Sequence, residues 1–305
     1  MNLGALAVGA GLIFPAVCAQ APDLDAARAR DALGVALAQA GKTTEAVEQF
    51  RDALRAAPRF PEAHYHLALA HIRMGQTDEA LAELEETLRL RPDLLEARYQ
   101  LAACCRNRGD FEGEARLLAD IVRQAPDFAE AHYNYGLCLQ RRDQPGDAVE
   151  QFRAAVRLES GNPRFGMALG AALADLDAAE ATAVLRRVCE ITPSHPEAHY
   201  NLALAMAAAG NEEAAIGEFQ ATLALNPTHA GARRGLGIAL MHADRLKESA
   251  DQLRRATAIA PRDAEAANSL GVVLLRLKDI EGAVTAGQFY VIQTRPQVGL
   301  EEQKG

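Results

Sequence analysis

No tryptophan occurs in the 305 residues, aromatic side chains reach only 5%, and the cysteines number five. Since 49% of the residues are hydrophobic, the apolar mass is mostly alanine and leucine. That excludes a disordered chain and disfavours a β-sandwich, whose strands draw on branched and aromatic side chains. Close-packed helices suit it better. Positive charge is also short: 32 Lys and Arg stand against 41 Asp and Glu, for a formal net charge of −9. A nucleic-acid surface needs clustered cations to displace phosphate counterions, so no nucleic-acid partner is expected. The chain also lacks a CxxC pair, a phosphate-binding loop, an HExxH motif and a nucleophile elbow. Acidic neighbours such as Glu85-Glu86 share a solvated helix surface and do not converge. No catalytic, cofactor or metal site is therefore expected, and the chain is read as non-enzymatic.

Long apolar runs are missing except at the start, where no charged side chain lies between Leu3 and Pro22. The run ends in Val17-Cys18-Ala19, a small-residue pattern suited to cleavage after Ala19. Residues 1–19 are thus expected to be an export signal and 20–26 a linker, although Met1-Asn2 supplies no basic residue. Cys18 is a poor lipidation site with Val17 before it and Pro15 at the third place upstream. Pro15 and glycines interrupt the run, which is short for a membrane span. The expected location is periplasmic or secreted, with no span in the mature chain; an uncleaved segment would instead leave the protein membrane-anchored or cytoplasmic.

What the chain has in abundance is repetition. Pro58, Pro92 and Pro126 step by 34, as do Pro193, Pro227 and Pro261, and Ser160 stands where the intervening proline would fall. Gly41, Gly75 and Gly109 keep the same step, and alanines at 46, 80, 148, 181, 215 and 283 mark a third phase. Each period predicts two helices. In the second, Pro61 opens a helix where its missing N–H costs nothing. Leu67, Ala68, Ala70, His71 and Met74 share one face, and Gly75 ends it. The turn Gln76-Thr77-Asp78 leads into a second helix with Ala80, Leu84, Leu88 and Leu90 inward, which Pro92 ends.

This unit resembles the tetratricopeptide repeat: Leu-Ala or Leu-Gly in helix A, glycine at the turn, alanine in helix B and proline at the end. The matching pairs run Leu33-Gly34, Leu67-Ala68, Leu101-Ala102, Tyr135-Gly136, Leu169-Gly170, Leu202-Ala203, Leu236-Gly237 and Leu270-Gly271. Eight repeats result, at 27–60, 61–94, 95–128, 129–162, 163–195, 196–229, 230–263 and 264–297, followed by a charged tail at 298–305. The resemblance implies an all-α, right-handed superhelical solenoid of paired antiparallel helices. Small residues at the paired positions let neighbouring helices interlock. The family's helix A tryptophan is replaced by His64, His132 and His199, and by Arg30, Arg98 and Arg233. Glu114 stands where the helix B alanine belongs, the fifth repeat is one residue short, and AVTAGQFYVIQTRPQ loses the pattern in the last.

The three histidines lie two repeats apart, too far to share a metal ion, and are read as packing residues. Cys104, Cys105, Cys138 and Cys189 fall at inward positions, where a free thiol behaves as a small hydrophobe. Cys105 and Cys138, in adjacent repeats, are the one pair placed for oxidation.

In a solenoid of helix pairs, helix A lines the inner surface. Two places before the repeat's leucine stand Tyr65, Tyr99, Tyr133 and Tyr200, four of the six tyrosines, and the next place holds His66, Gln100, Asn134, Asn201 and Ser269. Further along the same helices come Arg73, Arg106, Asn107, Gln140 and Arg141. Tyrosine and arginine dominate binding hot spots, so these residues are expected to form a groove for an extended peptide or a partner's helix. Their competing use is packing between A helices. The amide phase resembles the asparagine ladder in the repeat domain of O-linked N-acetylglucosamine transferases, whose catalytic domain has no counterpart here. Of the carboxylate clamp of chaperone-binding members, only Asn134 and Arg164 fall on suitable places. The expected function is a non-catalytic interaction scaffold. The alternative is a subunit that presents substrate within an enzyme complex, contacting its partner through Phe289, Tyr290, Val291 and Ile292.

Overall fold

Alanine and leucine carry the chain into helix after helix. The computed structural model describes residues 23–286; the expected export segment, Phe289 to Ile292 and the charged tail lie outside the described residues. Among these, fifteen helices follow one another without a strand: α1 (Leu24–Gln39), α2 (Thr43–Ala56), α3 (Pro61–Arg73), α4 (Thr77–Leu90), α5 (Leu95–Arg108), α6 (Phe111–Gln124), α7 (Ala129–Arg141), α8 (Pro145–Leu158), α9 (Pro163–Leu173), α10 (Ala178–Ile191), α11 (Pro196–Ala208), α12 (Glu212–Leu225), α13 (Ala230–His242), α14 (Leu246–Ile259) and α15 (Ala264–Arg276). Residues 280–286 are again helical. None of these helices is long and apolar enough to cross a membrane.

Two compact units result, one ending at Asp110 and one beginning at Phe111, so the division falls inside the expected 95–128 repeat. In the first, each helix from α1 to α5 packs on the next. In the second, the same holds from α6 to α15. Odd-numbered helices take the A role and even-numbered ones the B role. Within the first unit α1 also touches α3; within the second, α9, α11, α13 and α15 touch in turn. The A helices therefore crowd together on one side of each unit.

The local signals act as their chemistry requires. Proline occupies the first helical position of α3, α8, α9 and α11. Side chains of Asp23, Asn162, Asp177 and Asp263 accept backbone N–H bonds at helix starts. The turn glycines Gly41, Gly75, Gly109 and Gly210 all have positive φ, between 73° and 80°. That conformation explains their spacing, because a Cβ opposes it. Asp143, Asp244 and Lys278 take the same place in three other repeats at φ 58°, 58° and 62°. The short repeat has no left-handed residue among those described; its missing residue comes out of the turn, and α9 and α10 keep their pairing.

Close approach is concentrated at the second member of the Leu-Gly or Leu-Ala pair. A Cβ added at Gly34 would lie 2.5 Å from the Phe50 ring, and one at Gly136 2.6 Å from Phe152. At Gly170 it would meet Leu185 at 2.3 Å, and at Gly237 Leu253 at 2.6 Å. These four B-helix side chains are at most 1% exposed. In α11 the equivalent residue is Ala203; there Phe219 nests against Gly235 of the next A helix, where a Cβ would lie 2.4 Å from the ring.

Two inward assignments shift. Met74 is 39% exposed because it caps α3 rather than lying within it. In α4 the buried stripe is Ala80, Leu81, Leu84 and Thr87, while Leu88 and Leu90 are half-buried. Thr87 tolerates full burial because its hydroxyl donates to the Glu83 carbonyl at 2.7 Å.

Two substitutions test this account by urea unfolding. Gly136→Ala overpacks Phe152 and should cost about 1–3 kcal/mol. Asp143→Gly relieves about 1–2 kcal/mol of left-handed strain against about 0.5–1 kcal/mol of added backbone freedom in the unfolded chain, and should give a net gain of up to about 1 kcal/mol.

Candidate functional site

The A helices carry the expected groove residues, and the two units use them differently. In the first unit, His66 on α3 reaches back to α1, its Nδ1 2.8 Å from Asp31 Oδ1, with its ring 5.7 Å from Phe50. The Tyr65 ring lies 5.9 Å from that of His66. Burial first, and the nearby Glu96 second, raise the pKa of its hydroxyl above the ordinary tyrosine value. Arg73 Nη1 donates to the Ala38 carbonyl at the end of α1, at 3.0 Å, which satisfies a terminal carbonyl and complements the helix dipole. Tyr99, Gln100 and Arg106 are half-buried on α5, and Asn107 is exposed.

In the second unit, Tyr133 is wedged between repeats. Its ring is 5.1 Å from Phe165 on α9 and 6.0 Å from Phe152, with the Arg164 guanidinium 4.8 Å over it. Tyr200 is likewise 4.6 Å from His229 and 6.1 Å from Phe219. Arg141 is held by Glu114, Nη1 to Oε2 at 2.7 Å, and lies 5.3 Å over the Phe111 ring. Glu114, the departure at the alanine phase, is fully buried. Asn134 and Asn201 are half-buried and Gln140 exposed.

The thirteen residues therefore divide. His66, Arg73 and Arg141 are bound to neighbouring repeats. The tyrosines are half-buried, and Tyr133 and Tyr200 pack between A helices. The side chains of Gln100, Asn107, Gln140 and Asn201 form no hydrogen bond among the described residues. Sequence reasoning missed Gly231, Arg234 and Gly235 on α13, which sit near Tyr200 and Phe219. Their signal was present, since glycine and arginine break the phase that Tyr200 and Asn201 set 34 residues earlier.

Tetratricopeptide repeat sequence models match residues 37–104, 71–133 and 206–273, and a second pattern of the same description matches 114–163 and 169–230. The chain belongs to the tetratricopeptide repeat family. The comparison with curated proteins gave no match. Among solved structures it resembles YrrB, a tetratricopeptide repeat protein with an unusual peptide-binding site. That match has a TM-score of 0.57 at 21% identity, over 65% of this chain and 99% of YrrB. It also resembles MamA of Desulfovibrio magneticus RS-1, with a TM-score of 0.51 at 24% identity over 56% of this chain and 97% of MamA. Pseudomonas aeruginosa PilF gives 0.57 at 17%, over 68% and 96% of the two chains. At such identities the likeness is one of fold.

The family's tryptophan position turns out to be polar wiring. His64 Nε2 lies 3.1 Å from the Pro58 carbonyl and Nδ1 lies 2.6 Å from Glu83 Oε2. His199 repeats this with Pro193 at 3.0 Å and Glu218 at 2.7 Å, and His132 with Pro126 at 3.1 Å and Gln151 at 2.8 Å. Arg233 does the same, donating to Pro227 at 2.7 Å and Gln252 at 3.3 Å. Each side chain thus ties the preceding proline turn to its own B helix. The histidine packing expectation is refined: these are hydrogen-bonded clips. Among the described residues, no group of three or more His, Cys, Asp or Glu could hold a metal ion.

Cys104, Cys138 and Cys189 are buried thiols, and Cys105 is half-buried. Burial, and secondarily the Glu114 carboxylate, pushes Cys138 up to about 11. Burial and Glu218 do the same for Cys189, also to about 11. A thiol so placed stays protonated and unreactive.

With a carbonyl and a carboxylate as acceptors, the His64 clip is complete only when both ring nitrogens carry protons. Burial is the largest influence and opposes that charge. The Glu83 and Pro58 hydrogen bonds, with Coulomb attraction from Glu83 and Glu86, outweigh it and raise the His64 pKa above its ordinary 6.5. A raised folded-state pKa gives stability that is fully present below the unfolded value and lost as pH rises through the folded one. The stability lost in His64→Phe should therefore be larger at about pH 5.5 than at about pH 8.5. Glu83→Gln should flatten that difference; urea titrations of the three chains measure both.

Proposed function

We propose that this chain is a non-catalytic interaction scaffold that holds an extended peptide, or a partner's helix, along the A-helix side. The observation that carries the reading is the polar side chains beside half-buried tyrosines within each unit, on α3 and α5 of the first and on α7 and α11 of the second. Gln100 and Asn201 have no hydrogen bond of their own among the described residues, so their amides are available to a peptide backbone. Membership of a family of interaction modules supports this, as does the peptide-binding site of YrrB. The charge-free segment up to Ala19 supports action beyond the cytoplasmic membrane, with a mature chain starting at Gln20.

Not every expected groove residue enters the proposal. Arg73, Arg141 and His66 are placed as supports, since each is already paired with another repeat. The ligand-facing residues are Gln100 and Asn107 in the first unit and Gln140 and Asn201 in the second, each with the outer edges of its own unit's tyrosines.

The test uses peptides selected from a random dodecapeptide display library against the full chain. A net hydrogen bond contributes roughly 0.5–1.5 kcal/mol, so Asn201→Ala should weaken the selected peptides about two- to tenfold and leave the melting temperature nearly unchanged. Tyr133→Ala should lower the melting temperature, because its ring packs against Phe152, Phe165 and Arg164. Peptides that bind all variants alike would refute the groove.

A further inference from the structure

Tyr200 and Asn201 on α11 correspond, one period on, to Arg234 and Gly235 on α13, and Gly231 stands one turn earlier. Both glycines line an opening of about 140 Å³ together with Tyr200, Phe219, Leu204 and Ile238. Nothing of the chain's own fits at either glycine without displacement. A Cβ at Gly235 would lie 2.4 Å from Phe219, and one at Gly231 3.1 Å from the Tyr200 hydroxyl. Leu204, on the wall, is 38% exposed. An opening of this size matches the roughly 150 Å³ apolar cavity that accepts benzene, and is well below the roughly 300–1,000 Å³ of small-molecule sites. It has room for one side chain.

The rim adds a charge preference. Glu212 lines the opening, and its Oε1 accepts from His242 Nδ1 at 2.8 Å. Its Oε2 is buried without a hydrogen-bond partner, and a buried acceptor left unpaired is costly until a donor reaches it. Arg234 offers little compensation, being held by Asp263 at 2.7 Å and by Glu265 at 3.3 Å. His229 offers no acceptor to a ligand, since its Nδ1 is taken by the Ala232 N–H at 3.0 Å. Two carboxylates, Glu212 and Glu265, thus line the opening beside a guanidinium already paired with Asp263 and Glu265, in a chain whose formal net charge is −9. A cation beside the opening is favoured locally and by the whole molecule.

We propose that this opening is a specificity pocket of the groove, and that it takes one leucine- or phenylalanine-sized side chain of a partner peptide with a lysine or arginine next to it. The pocket rests on the scaffold reading above and narrows it to basic, apolar-anchored segments. The unpaired Glu212 oxygen receives the cation's N–H, and Tyr200 and Ile238 enclose the apolar group. Asn201, one residue beyond Tyr200, faces the peptide's main chain.

The decisive experiment reads the sequences selected from the dodecapeptide library on the full chain, then titrates synthetic winners by fluorescence anisotropy. The expected winners share an apolar residue adjacent to Lys or Arg. Changing that apolar residue to Ala, or the cation to Glu, should weaken binding tenfold or more. Gly231→Val, which fills the opening, should cause a similar loss, and Glu212→Gln a loss of several-fold with an unchanged melting curve. Should Gly231→Val unfold the chain, Glu212→Gln and the peptide changes still decide. Winners that lose affinity with Asn201→Ala but ignore Gly231→Val and Glu212→Gln would overturn the pocket and leave the groove standing. Acidic winners would overturn the charge preference, and no winners at all would overturn both pocket and groove.

Discussion

Each A helix must show its B helix nothing larger than a methyl group at one turn. Gly34, Gly136, Gly170 and Gly237 meet that condition with the side chains of Phe50, Phe152, Leu185 and Leu253 pressed onto bare backbone. With the aromatic content so low, these few rings and leucines carry the interlock between paired helices. Once the A helix is pinned on that turn, its remaining faces are fixed as well. One rests on the preceding repeat, and another is left to the A-helix side. The alignment of tyrosine and amide phases along α3 and α5, and separately along α7 and α11, follows from this. It needs no contact among those residues themselves.

A second layer of order is polar and spans the repeat junctions. The histidine and arginine clips fasten the turns at Pro58, Pro126, Pro193 and Pro227 to the next B helix. Arg73 and Arg276 reach the final turns of the preceding A helices, at Ala38 and Met241. These bonds involve partly exposed groups and contribute modestly one at a time. Their effect is to set the angle between successive repeats, which shape-tolerant alanine packing would leave loose. Inter-repeat bonds of this kind also occupy His66, Arg73 and Arg141 on the A helices.

The fold was readable because its determinants are periodic. Proline, glycine and alanine recur at fixed spacing for backbone reasons, and the helices begin and end where those residues direct. The site was legible only in part, because a side chain's phase tells which face it occupies and not what meets it there. His66 and Gln100 share a phase, yet the first is taken by Asp31, a residue that stands at the tyrosine phase of its own repeat. Arg141 looked available until Glu114, itself visible as a departure, was seen to bury against it. Gly231 and Gly235 were unremarked for the opposite reason. An opening depends on what several helices bring together, and a pattern of recurring residues does not register it.

The missing residue of the 163–195 repeat has one further implication. It was lost from the turn, where no buried face depends on length, and the helix pairs on either side kept their partners. Removing a residue from within a helix would instead rotate everything beyond it by about 100° around the helix axis, and carry the buried stripe into solvent. Genetic rearrangement of such a gene is thus filtered by register. Whole periods can be gained or lost, because each helix pairs with the next in the same way, and odd residues can be gained or lost only at turns. The number of repeats is free to vary in steps of one without any new packing solution.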